Sequence, residues 1–184
     1  MFIQTEATPN PATLMFLPGQ SVAGATPADF RNAEDAARSP LASALFEIDG
    51  VREVFLGTDF VSVTKDERDW GQIKPIVLGA LMEHFVSGAP VFADGGETHE
   101  EDEFFAPEHA ETVDEIKDLI ETRVRPAVAS DGGDIRFRGF KDGTVYLSMK
   151  GACSGCPSST ATLKHGIENL LKHFVPDVQA VEQI

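Results

Sequence analysis

Two spacings of apolar residues alternate along this chain, one suited to strands and the other to helices. "VREVFLG" and "FVSVTK" alternate apolar and polar positions around Thr58-Asp59, which predicts a hairpin. "MFIQTEA" and "TLMFLPG" flank the stiff Pro9-Asn10-Pro11 turn and read as an antiparallel pair. In "SPLASALFEIDG" the apolar residues fall three and four apart, so Leu41, Leu45 and Ile48 share one face of a helix. Ser39 is its N-cap, Pro40 its first residue and Gly50 its stop. "DWGQIKPIVLGALMEHFVSG" predicts a longer helix with Ile76, Leu81 and Phe85 on its apolar face. Trp70 at its start reads as an anchor against the sheet, and His84 as packed or solvated.

The second half repeats the scheme in another order. Thr112 to Glu115 form a capping-box pattern, and Val113, Ile116, Leu119, Ile120 and Val124 recur at helical spacing as far as Pro126. "ASDGGD" makes a turn whose Gly132-Gly133 permits left-handed backbone. "IRFRGF" and "TVYLSM" form a hairpin around Lys141-Asp142-Gly143. After a loop, "SSTATLKHGIENLLKHF" predicts an amphipathic helix burying Leu163, Ile167, Leu170, Leu171 and Phe174, and "DVQAVEQI" a last strand. The predicted order is helix, strand, strand, helix, strand.

Between the halves the composition changes. Residues 1–88 carry 12 carboxylates against 6 Lys and Arg, residues 89–111 carry 8 against none, and residues 112–184 carry 10 against 9. Self-repulsion and few buriable side chains predict an extended, mobile linker over 89–111. Its histidines, His99 and His109, read as part of the solvated tether because neither has tight ligand spacing. The chain is therefore expected to be α+β, two small α/β-sandwich domains at 1–88 and 112–184 joined by that linker.

Composition excludes several functions. Apolar residues make up 42% of the chain, with 13 Phe, which is enough for two cores, while no apolar run approaches the roughly 20 residues of a membrane span. With a net charge of −15 nothing supplies the basic face that a phosphate backbone requires, so nucleic acid is not an expected partner, and without an apolar span neither is a membrane. "MFIQTEATPN" has no basic region ahead of an apolar stretch. A bacterial cytoplasm is expected, with the mitochondrial matrix as the alternative.

The chemistry lies in "GACSGCPSS", which holds both cysteines, Cys153 and Cys156. They fall between the end of a strand and the start of a helix, where amide N–H groups and the helix dipole favour thiolate. Gly151, Ala152, Ser154 and Gly155 keep the loop free of bulk, Pro157 restricts its exit, and Ser158 or Ser159 can cap the helix. Dithiol exchange is one use, although it expects a helix within a βαβ pattern, whereas this helix lies between an antiparallel hairpin and a last strand. Closed zinc needs four ligands and hence a partner chain. Inert thiols are the bland alternative. An iron-sulfur cluster also takes four thiolates, and a two-fold dimer supplies them from identical halves.

"MKGACSGCPSSTATLKHGIENLL" and "DGGDIRFRGF" resemble the C-terminal domain of the Nfu-type iron-sulfur cluster scaffold family. "MFIQTEATPNPATLMFLPG", "SPLASALFEIDGVREVFLGTDFVSVTK" and "DWGQIKPIVLGALMEHFVSG" are similar to the N-terminal domain of its two-domain members. Only the linker and the stretch around Ser21 to Arg38 fall outside the resemblance. It implies that Cys153 and Cys156 ligate a 4Fe-4S cluster shared between two subunits. The cluster is then passed to apo iron-sulfur proteins of the aconitase or lipoyl synthase type, after supply by upstream assembly proteins. It further implies a homodimer when loaded, an N-terminal domain that contacts partners, and no enzymatic turnover. Lys150, Lys164 and Arg136 read as ordinary surface cations.

Overall fold

The computed structural model describes residues 1–93, 103–152 and 157–184, with residues 157–159 by backbone alone. The chain divides into two units, Met1–Thr98 and His99–Ile184.

The first unit contains strands β1 (Gln4–Ala7), β2 (Thr13–Leu17) and β3 (Ala28–Phe30) and helices α1 (Ala33–Ala36) and α2 (Pro40–Phe46). Strands β4 (Val51–Leu56) and β5 (Val61–Lys65) and helix α3 (Trp70–Ser87) complete it. Its sheet runs β1-β2-β5-β4-β3, antiparallel throughout. Phe16, Val54, Leu56, Val61 and Val63 of the sheet pack with Leu41, Leu45, Ile73, Val77 and Leu81 of the helices. The expected cap of α2 is present, with Ser39 Oγ accepting from the Ala42 N–H at 3.1 Å and donating to the Val91 carbonyl. Trp70 is the expected anchor, its indole N–H donating to the Pro11 carbonyl at 3.2 Å.

Two features depart from the sequence reading. Leu81 is buried and Phe85 packs on the core as expected, but Ile76 is 55% exposed, and α3 buries Ile73, Val77 and His84 in its place. The helix is apolar around much of its circumference, so residue type alone does not say which side meets the sheet. The unassigned stretch before Arg38 supplies β3, which pairs with β4 at the sheet edge, and the one-turn α1. Both are too short to show a period.

The second unit opens with β6 (Phe104–Phe105), a 3₁₀ turn at Pro107–His109, and α4 (Ala110–Leu119). A π-helical turn at Ile120–Val124 leads into α5 (Arg125–Ser130). Strands β7 (Gly133–Lys141) and β8 (Thr144–Gly151), helix α6 (Pro157–Phe174) and strand β9 (Ala180–Gln183) follow. The sheet order is β6-β7-β8-β9, with β7 and β8 antiparallel and both outer pairs parallel. Ile135, Phe137, Leu147 and Met149 pack against Ile116, Ile120, Val124, Ile167 and Leu171.

Several expectations change here. The helix continues through Pro126, because the wider π turn ahead of it relieves the clash and missing hydrogen bond that proline imposes. It also starts at Ala110 instead of Thr112, and β6 lies within the stretch read as linker. At the other end of that stretch, the Ala93 N–H donates to the Arg38 carbonyl at 2.9 Å. His109 packs edge-on against Phe140 at 5.2 Å, while His99 lies outside the described residues. Phe174 is 45% exposed beneath the Arg123 guanidinium, and Val175 takes the buried place beside it. Most consequentially, β8, α6 and β9 form a parallel βαβ crossover, so the helix after the cysteines does lie in that pattern.

His84 has a measurable consequence. It is buried at 7% exposure, its Nε2 has no hydrogen-bond partner, and burial pushes its pKa below the ordinary imidazole value. The unfolded chain therefore binds a proton that the folded chain resists. Stability should be intact above about pH 6.5 and fall as pH drops below it, until the folded imidazole also protonates. Urea unfolding of the full chain at pH 8 and pH 5 should show a smaller loss in His84→Leu than in the unsubstituted protein.

Candidate functional site

Strand β8 ends at Gly151 and helix α6 begins at Pro157. Cys153 and Cys156 fall between them and lie outside the described residues. What the structure describes is the frame on either side. Gly151 has φ 72°, a left-handed conformation that suits glycine and turns the chain out of the strand. Ala152 is 2% exposed, and its N–H donates to the Gly132 carbonyl at 3.2 Å. Pro157 opens α6, where its missing N–H costs nothing, so Ser158 and Ser159 lie inside the first turn and not at the cap.

The frame is locked from below by a carboxylate. Asp134 pairs with Lys150 in the ladder, one step before Gly133 pairs with Gly151. Its side chain is only 7% exposed and meets two guanidinium groups. Arg125 of α5 donates from Nε to Oδ1 at 2.8 Å and from a terminal nitrogen to Oδ2 at 3.3 Å. Arg136 approaches Oδ2 at 3.4 Å, and Glu121 accepts from Arg125 at 2.6 and 2.8 Å. Burial works against the Arg125 charge, yet Asp134 and Glu121 outweigh it and hold the guanidinium above its ordinary pKa. In the sequence Asp134 stands beside the Gly132-Gly133 turn, and the signal of this role is a carboxylate entering a strand with Arg two positions later and Arg nine positions earlier.

Other candidates fall into place around this frame. Arg136 belongs to the Asp134 cluster, and Lys164 reaches Glu182 at 3.1 Å. Among the described residues, no group of three or more His, Cys, Asp or Glu gathers to hold a metal ion.

Fold and frame define a protein of two α+β units, the second presenting a Cys-x-x-Cys segment between β8 and α6. Residues 3–88 match the family model for the N-terminal part of scaffold protein Nfu/NifU, and residues 116–182 match the NifU-like domain. "NifU-like protein 4, mitochondrial" of Arabidopsis thaliana is 52% identical over 186 residues, covering 100% of this chain and 66% of that protein. The human "NFU1 iron-sulfur cluster scaffold homolog, mitochondrial" is 46% identical over 189 residues, covering 100% of this chain and 72% of that protein. Among solved structures, a NifU-like protein from Saccharomyces cerevisiae overlaps 50% of this chain and 85% of its own at 28% identity and a TM-score of 0.46. The chain belongs to the Nfu/NifU scaffold-protein family.

Asp134→Asn should cost about 3 kcal/mol of unfolding free energy, the low end for breaking a buried pair, because Glu121 still holds Arg125. Chemical denaturation measures this. A loss below about 1 kcal/mol, the level of an exposed pair, would show that the cluster does not lock the frame.

Proposed function

We propose that this chain is a non-catalytic scaffold and carrier whose cargo is a 4Fe-4S cluster held by Cys153 and Cys156 of two copies. Both thiols of the chain lie in one Cys-x-x-Cys segment flanked by β8 and α6. Four thiolates complete such a cluster, and one chain provides two. Identical halves related by a two-fold axis satisfy that count. The family membership and the relatives named as iron-sulfur cluster scaffolds support this reading.

Delivery follows from the same scarcity. A cluster held by two sulfurs per chain is open to stepwise replacement by an acceptor's thiolates, as in thiol exchange at a partly exposed centre. Acceptors are apo iron-sulfur proteins of the aconitase or lipoyl synthase type. The first unit contacts partners, and the acidic stretch between the units tethers it at raised local concentration. Mitochondrial relatives support a mitochondrial matrix setting, the second of the two compartments expected from the sequence. Among the described residues no helix is long and apolar enough to cross a membrane.

One observation favours a second reading. The β8-α6-β9 crossover puts the Cys-x-x-Cys segment at a helix start within a βαβ unit, the context of dithiol oxidoreductases. Anaerobic incubation with iron and sulfide followed by transfer to an apo acceptor separates the two. The carrier reading predicts visible thiolate-iron absorption, restored acceptor activity, and loss of both in Cys153→Ser and in Cys156→Ser. A colourless chain that reduces a model disulfide, with Cys156→Ser trapping a mixed disulfide at Cys153, would replace cargo chemistry by exchange.

A further inference from the structure

Strand β6 lies outside both matched domains, since one ends at residue 88 and the other begins at residue 116. It is nevertheless the fourth strand of the second sheet, paired in parallel with β7 through Phe104 opposite Gly139 and Phe105 opposite Phe140. The Phe104 ring occupies the space above Gly139. A Cβ added there would meet ring carbons at 2.4 to 2.6 Å. The same ring packs on Tyr146, centroids 5.2 Å apart. One residue earlier, Glu103 accepts from Lys117 Nζ at 2.6 Å, and Lys117 also lies 5.8 Å over the Phe137 ring.

This edge of β7 is built to receive a strand. The ladder with β8 shifts register between Phe137 and Gly139, a bulge of the kind that re-aims a sheet edge. Main-chain pairing, a hollow over glycine and a lysine at one end together read three features of an incoming segment: extension, an aromatic side chain, and a carboxylate just before it. The resident segment has all three, but its grip is slight. Its paired strand is two residues long, with Phe104 43% exposed and Phe105 39% exposed. Tethering holds it in place, because a segment on its own chain acts at an effective concentration on the order of millimolar.

We propose that the β7 edge is a docking site for an extended acidic-aromatic segment of a partner protein, and that Glu103–Phe105 is the resident occupant which such a segment displaces. Recognition is by strand addition, with the partner's aromatic ring entering the Gly139 hollow and its carboxylate reaching Lys117. The inference does not rest on the cluster-carrier reading.

The test uses the full chain, isotopically labelled, and a synthetic peptide of sequence Glu-Asp-Glu-Phe-Phe-Ala-Pro. Amide signals of Gly139, Phe140 and Tyr146 are followed during titration, with β9 amides reporting that the sheet is intact. Phe104→Ala weakens the resident competitor and should bind the peptide at least about tenfold more tightly than the unsubstituted chain. Adding Gly139→Val to that variant fills the hollow and should abolish binding, as should replacing the peptide's first Phe by Ala. The proposal is overturned if Phe104→Ala shows no shift at those amides, binds no better than the unsubstituted chain, or binds equally well with Gly139→Val.

Discussion

The second unit depends on one ladder, the antiparallel pairing of β7 with β8 from Gly133 opposite Gly151 to Lys141 opposite Thr144. Strand side chains alternate, so a slip of one residue would turn Ile135, Leu147 and Met149 away from the helices and bring Arg136, Ser148 and Tyr146 inward. Both ends of the ladder are pinned. At the hairpin end, Asp142 and Gly143 both have positive φ, 51° and 76°, as a two-residue turn that matches strand twist requires. At the other end, Asp134 ties the start of β7 to Arg125 of α5. The chain leaves the sheet at that second end, at Gly151, so the register that buries the core also sets where β8 gives way to the cysteine segment.

Much of this was legible in the sequence because it is local. The Ser39-Pro40 cap, the β4-β5 and β7-β8 hairpins and the faces of α4 and α6 each follow from side chains a few residues apart. The departures are tertiary. Pro126 looks like a helix stop until the π turn before it is known, and Ile76 is as apolar as the Ile73 that α3 buries in its place. Phe104 and Phe105 sit among carboxylates and look like tether, because the hollow over Gly139 that receives one of them lies 35 positions further along. Asp134 shows the same limit at the candidate site: its partners lie on α5 and β7, and its burial is a property of the packed unit.

The cysteine pair is plain in the sequence, but its context depends on a strand pairing that is not local. In sequence the helix follows an antiparallel hairpin, which carries no sign of a parallel crossover, but β9 returns beside β8 in the same direction. The fold alone therefore accommodates both cargo binding and dithiol exchange. What separates them is stoichiometry. Exchange needs two sulfurs and is complete in one chain, whereas a cubane cluster needs four and is incomplete in one chain.

Native mass spectrometry after anaerobic loading with iron and sulfide reads that stoichiometry directly. A dimer of this chain carrying one cluster of about four irons is expected, with the dimer lost when Cys153 or Cys156 becomes serine. Iron retained on a monomer, or a dimer that persists unchanged without either cysteine, would contradict it.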